Sequence, residues 1–199
     1  MLRIGVLASH QGTNFQAIAQ ACNSGQLNAK VQLLICNNSR AKVFERAAQF
    51  GINAIRQSST THSDPAALDQ AMASALSDHE IDLVVLAGYM KKLGDVVLSD
   101  YEGRIINVHP SLLPRFGGAG FYGRSVHEAV LKAGDTETGA TVHLVDAQYD
   151  TGRILLQERI TVAKDDTADS LAARLHPIEH QLLIRAIDQF CKAKTGIAP

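Results

Sequence analysis

Short apolar runs alternate with amphipathic stretches along most of the chain. Arg3 to Ala8, Lys30 to Cys36, Asn53 to Arg56, Asp82 to Leu86 and Arg104 to Val108 read as strands. Each is four to seven residues long and rich in Val, Ile and Leu, as strands covered on both faces are. Between them lie helical patterns: Phe15 to Cys22, closed at Gly25; Ala41 to Phe50, stopped at Gly51; and Pro65, at a first helical position, to about Asp78. Beyond Arg124 to Ala133, a helix ended by Gly134, the pattern changes. Ala140 to Val145 and Ile154 to Thr161 alternate like strands and are joined so tightly that an antiparallel pairing is predicted. A last helix begins at Thr167, and Pro177 is expected to kink or split it near Leu175. Lys192 to Pro199 is expected to fray. The order predicts an α/β fold: an open, mostly parallel twisted sheet of about seven strands with helices on both faces, the last strands partly antiparallel.

Composition narrows the partners. Of 199 residues 46% are hydrophobic and 20% charged, which fits one globular domain over residues 1–199. A net charge of −1 lacks the basic footprint of a nucleic-acid binder. No window approaches a membrane span. Cys22, Cys36 and Cys191 are far apart and show no metal or redox spacing, so they read as reduced thiols of a cytoplasmic protein.

Chemistry concentrates in Ile105 to Arg115, I-I-N-V-H-P-S-L-L-P-R. Side chains alternate along a strand, so Asn107 and His109 leave the fifth strand on one side. An amide donor beside an imidazole, at the carboxyl end of an open-sheet strand, suits polarisation of a carbonyl and movement of a proton. A polar strand end beside a satisfied histidine is the plainer alternative. Near the N-terminus, a strand, the turn Ser9 to Asn14 and a helix form the layout that holds phosphate at a helix N-terminus, with Thr13 and Asn14 as candidate caps. Gly88 opens A-G-Y-M-K-K-L, where Lys91 and Lys92 fit a solvated helix start. Glu179 fits an exposed helix glutamate, and His143 shares a strand face with Thr141.

The stretch N-V-H-P-S-L-L-P-R, with D-A-Q-Y-D-T-G-R-I-L-L-Q from Asp146 downstream, resembles the signature of the folate-dependent formyltransferases. The resemblance covers nearly the full chain and implies their Rossmann-like fold. It implies formyl transfer from 10-formyltetrahydrofolate to the amine of glycinamide ribonucleotide, in purine synthesis, with no metal. Asn107, His109 and Asp150 would be catalytic. Gly12, Thr13 and Asn14 would hold the acceptor's phosphate, Glu179 its ribose, and Met90, Lys91, Lys92 and Leu93, with Asn107, would line the folate site. The partners expected are small molecules only, in a monomer or homodimer. Relatives that formylate methionyl-tRNA or hydrolyse the formylfolate share the Asn/His/Asp set. They normally carry a further domain, which these 199 residues are not expected to include. A sheet retained only to bind nucleotide is a further alternative. The chain departs from the pattern at His10, where the family has the first glycine of G-x-G-S/T-N; at Pro65, near which a basic residue reaches the folate tail; and at Arg153, often proline. Phe116 to Gly123 is a longer glycine-rich variant, with the character of a lid.

Overall fold

The computed structural model describes residues 1–196. The strands are β1 (Leu2–Ala8), β2 (Ala29–Cys36), β3 (Asn53–Arg56), β4 (Leu83–Leu86), β5 (Ile105–His109), β6 (Glu137–Leu144) and β7 (Ile154–Thr161). The helices are α1 (Thr13–Asn23), α2 (Val43–Gln49), α3 (Pro65–Asp78), α4 (Asp95–Asp100), α5 (Arg124–Ala133) and α6 (Ala168–Lys194). One seven-stranded sheet runs β3-β2-β1-β4-β5-β6-β7. Pairs from β3 to β5 are parallel, while β5–β6 and β6–β7 are antiparallel.

The core explains why the central strands are apolar throughout. On one face Ile4, Val6, Val85, Ile106 and Val108 pack under α1 and α6 through Phe15, Ile18, Leu182, Leu183 and Ile187. On the other, Leu7, Leu33, Val84 and Ile105 pack under α3 and α4 through Met72, Leu76, Val97 and Tyr101. Each such side chain contributes about 1.5–3 kcal/mol when fully buried. In β5 the alternation that sends Ile106 and Val108 to the α1/α6 layer sends Asn107 and His109 the other way.

Strand order reverses between β1 and β4, since β1 leads outward to β2 and β3 while β4 leads to β5 on its other side. The loops leaving the carboxyl ends of these neighbours splay apart there and leave a crevice. That is how the fold brings the turn after β1, the segment after β4 and the end of β5 together.

Four expectations need correction. Neither Thr13 nor Asn14 caps α1: the N-cap is Gly12, in the left-handed region with φ 74° and no side-chain cap. Gly12 also lies against α2, where a Cβ would fall 2.4 Å from Val43 Cγ2. Gly12→Ala is therefore expected to cost roughly 2–4 kcal/mol, from left-handed backbone and a clash in a packed wall. The urea midpoint checks this, and an unchanged midpoint would show that Val43 yields freely.

Lys91 and Lys92 do not start a helix. The helix of that region, α4, begins at Asp95 and is capped from α3, because Val96 N–H and Val97 N–H donate to the Asp69 carboxylate at 2.7 and 3.2 Å. Gly94 leaves room for that carboxylate, as a Cβ would sit 2.2 Å from Asp69 Cγ.

Pro177 does not split the last helix, which continues from Ala168 to Lys194. Proline withholds one hydrogen bond at a cost of about 3 kcal/mol. Burial on both sides of it offsets the cost, by Leu171 and Leu175 before and by Leu182, Leu183 and Ile187 after. Lys192 to Lys194, expected to fray, remain helical, while 197–199 lie outside the described residues. Among the described residues no helix is long and apolar enough to cross a membrane.

Candidate active site

A cleft of about 400 Å³ opens at the strand-order reversal, within the range of small-molecule sites. Its lining includes every residue to which the resemblance gives a catalytic or ligand-binding role: Gly12, Thr13, Asn14, Met90, Lys91, Lys92, Leu93, Asn107, His109, Asp150 and Glu179. His10 lines it too. Pro65 does not belong to the lining, being the first residue of α3. Arg153 is exposed, and its carbonyl accepts the Leu144 N–H at 2.9 Å, closing the β6–β7 connection.

At the end of β5, His109 is buried. Its Nδ1 lies 3.6 Å from Asp150 Oδ2, and its Nε2 lies 2.7 Å from the Phe116 carbonyl oxygen. Both ring nitrogens thus face acceptors. A neutral imidazole satisfies one of them, whereas the imidazolium satisfies both. Burial pulls the other way and is the stronger influence, holding the His109 pKa below the ordinary histidine value. Asp150 and the Phe116 carbonyl oppose that shift, and His143 adds to it. Asp150 favours the charged form, but desolvation outweighs it.

Asp150 arrives from the β6–β7 connection in a left-handed conformation, φ 58°. It accepts the Gly118 N–H at 2.9 Å and lies 3.5 Å from His143 Nε2. Burial disfavours its charge, yet His143, His109 and the Gly118 N–H together outweigh burial and hold its carboxyl below the ordinary value.

Asn107 Nδ2 lies 3.1 Å from His143 Nε2, and His143 Nδ1 lies 2.8 Å from the Leu144 carbonyl oxygen. When the Nδ1 proton lies on that carbonyl and Nε2 is bare, Nε2 accepts the Asn107 amide. In that tautomer His143 orients Asn107, whereas the same Nε2, 3.5 Å from Asp150 Oδ1, supports the carboxylate only when it carries a proton. The register pairing Asn107 with His143 across β5 and β6 makes this contact possible.

At the other wall, Asn14 Nδ2 donates to Glu179 Oε2 at 3.2 Å, tying the first turn of α1 to α6. Glu179 is 8% exposed, not the solvated glutamate that its helical position also allows. Burial raises its carboxyl pKa, against the Asn14 hydrogen bond and His176.

The segment leading into the glycine-rich loop is fastened by contacts the sequence did not disclose. Thr141 Oγ1 donates to the Ser111 carbonyl at 2.7 Å and accepts the Leu113 N–H at 3.1 Å, and Gln157 Nε2 donates to the Leu113 carbonyl at 2.9 Å. These clamps join residues 28–44 positions apart, so no local signal marks them. Past the clamp, Phe116 (φ 53°) and Gly118 (φ 93°) turn the chain so that a carbonyl meets His109 and an N–H meets Asp150. Phe121, Tyr122, Met90 and Tyr149 remain exposed around the cleft.

A buried Asn/His/Asp cluster in a strand-order crevice has the form of a group-transfer site, and the match of residues 2–187 to the formyl transferase family says which: the chain belongs to that family. Among its relatives, it is 39% identical over 189 residues to the phosphoribosylglycinamide formyltransferase of Bacillus subtilis (strain 168), covering 95% of this chain and 94% of that protein. It is 38% identical to the chloroplastic phosphoribosylglycinamide formyltransferase of Vigna unguiculata, with 96% of this chain and 62% of that protein covered. The chain thus spans under two thirds of the plant protein but nearly all of the bacterial one. The crystal structure of glycinamide ribonucleotide transformylase 1 from Symbiobacterium toebii superimposes with a TM-score of 0.92 at 37% identity, over 97% of this chain and 89% of that one.

Proposed function

We propose that this protein transfers the formyl group of 10-formyltetrahydrofolate to the amine of glycinamide ribonucleotide, giving formylglycinamide ribonucleotide and tetrahydrofolate. The observation that carries the reading is one continuous cleft. It joins an anion-suited turn at Gly12–Asn14, a catalytic cluster at Asn107, His109 and Asp150, and a largely apolar wall after β4. The names of the relatives agree with this choice of acceptor.

The backbone N–H groups at the start of α1 suit a phosphate, since the first turn of a helix leaves its donors free. Glu179, beside Asn14, offers a carboxylate to ribose hydroxyls. Leu86, Met90, Leu93 and Val108 give the folate ring system an apolar wall, with Lys91 and Lys92 at its exposed margin.

In the transfer, the acceptor amine attacks the formyl carbon, the bond from that carbon to the folate nitrogen breaks, and one proton passes from amine to folate nitrogen. Asn107 Nδ2 has two hydrogens. With one on His143 Nε2, the other is free for the oxygen that becomes negative in the tetrahedral state. His109, whose uncharged form is favoured by burial, takes the amine's proton and returns it to the leaving nitrogen, while Asp150 steadies the charge that His109 carries in between.

The test is acceptor choice. Purified protein with 10-formyltetrahydrofolate is offered glycinamide ribonucleotide, initiator methionyl-tRNA, or water alone. Formylglycinamide ribonucleotide is the expected product. Faster formylation of the tRNA, or hydrolysis indifferent to the ribonucleotide, would overturn the assignment.

A further inference from the structure

Most polar atoms around the catalytic cluster find partners within the protein, but two do not. Asn14 Oδ1 and His127 Nδ1 are buried with no hydrogen-bond partner among the described residues, and both residues line the cleft. A buried polar atom left unpaired in a native fold calls for an explanation. Asn14 has one in the acceptor turn to which it belongs. His127, on α5 four residues beyond Gly123, takes no part in the chemistry described above. It is only 3% exposed.

Its place in the cleft follows from its neighbours. His127, His109 and His176 line the same cleft. His109 belongs to the catalytic cluster. His176 stands on α6 one turn before Glu179, the residue that holds Asn14. His127 thus faces a cleft shared with the Gly12–Asn14 turn and with the Asn107, His109 and Asp150 group.

We propose that His127 is a specificity-determining residue for the acceptor, its imidazole hydrogen-bonding the polar segment that links the acceptor's phosphate-bearing sugar to its reacting amine. The proposal rests on the glycinamide ribonucleotide reading, in which that segment is a carboxamide. The imidazole's χ2 torsion is broad and roughly two-fold, so a half-turn of the ring presents the unpaired nitrogen elsewhere without changing its volume.

The chemistry of the site suits this task. Burial, with His176 and His109 adding to it, pushes the His127 pKa down to about 4, so the ring is neutral at physiological pH. A neutral imidazole has one N–H and one lone pair, and it matches a carboxamide or an unprotonated amine, which also combine donors and acceptors. A lysine or arginine there would only donate. It would also add a charge beside His109, which has to accept a proton during the transfer.

The experiment measures glycinamide ribonucleotide binding by calorimetry, and the KM for both substrates, in wild type, His127→Leu and His127→Asn. His127→Leu is expected to weaken ribonucleotide binding about tenfold, the loss of one hydrogen bond, while the KM for 10-formyltetrahydrofolate stays within about twofold. Its Tm is expected not to fall, because the nitrogen removed has no partner inside the protein. His127→Asn restores most of the binding. Wild-type-like ribonucleotide binding by folded His127→Leu, or equal losses for both substrates, would overturn the role. Should His127→Leu fail to fold, the imidazole nitrogen resonances of wild-type His127 decide: a shift on adding the ribonucleotide supports the contact, and no shift removes it. Wild type that binds no glycinamide ribonucleotide removes the functional reading and this role with it. Wild type that binds, beside a variant that binds equally, removes only the role of His127.

Discussion

Asp150→Asn is expected to keep the fold and lose turnover by about 10²–10⁴-fold, the range that a positioned proton-transfer group supplies. Asparagine preserves the volume and can still accept the Gly118 N–H, which is 2.9 Å from Oδ2 in the wild type. What it removes is the negative charge 3.6 Å from His109 Nδ1. That charge favours the imidazolium, against burial and His143. Without it the His109 pKa, already below the ordinary value, falls further. If protonation of this histidine sets the acidic limb of the pH–rate profile, the limb moves to lower pH in the variant. Near-normal turnover with an unmoved limb, in protein whose circular dichroism matches wild type, would refute the pairing.

Asn107→Ala is expected to cost about 10²–10³-fold in kcat, as removal of one preorganised donor to a developing oxyanion does. The variant removes no titrating group, so its pH profile should keep its shape. Alanine also leaves His143 Nε2 without the Asn107 amide. Groups that act as one unit give losses that do not add, so the Asn107/His109 double alanine variant should be little worse than His109→Ala. Single-turnover kinetics make the comparison. Losses that multiply would mean that the two residues assist separate steps.

Much of this site was legible because strands and sheets obey short-range rules. Period-two alternation placed Asn107 and His109 on one side of β5, and the tight connection before Ile154 predicted the antiparallel β6–β7 pair. The apolar run of β4 marked it as a strand covered on both faces, and it stands fourth of seven in the sheet. Asp150 was different, since only resemblance to a family marked it among 20 acidic residues. Its left-handed backbone and its approach to His109 depend on a loop folding over another strand's end. What stayed hidden was held by distant partners. The α4 cap comes from Asp69 and the loop clamp from Thr141 and Gln157. The burial of Glu179 depends on α1 and α6 meeting at Asn14. His127 sits in an ordinary amphipathic helix pattern, and only the unpaired nitrogen in the folded structure draws notice to it.

The two contacts that the glycine-rich loop makes with His109 and Asp150 are main-chain contacts: a carbonyl from Phe116 and an N–H from Gly118. A point substitution that keeps the turn leaves both groups in place, but the turn itself restricts Gly117, where a Cβ would fall 2.5 Å from Leu113 Cδ2, and Gly118, at φ 93°. The two anchors are two residues apart, and they meet a ring nitrogen at the end of β5 and a carboxylate oxygen in the β6–β7 connection. An inserted or deleted residue between them would put the wrong backbone group opposite one partner. The segment is thus strict in length, and of positions 119–122, all of which line the cleft, Gly120 is held to glycine by its φ of 91°.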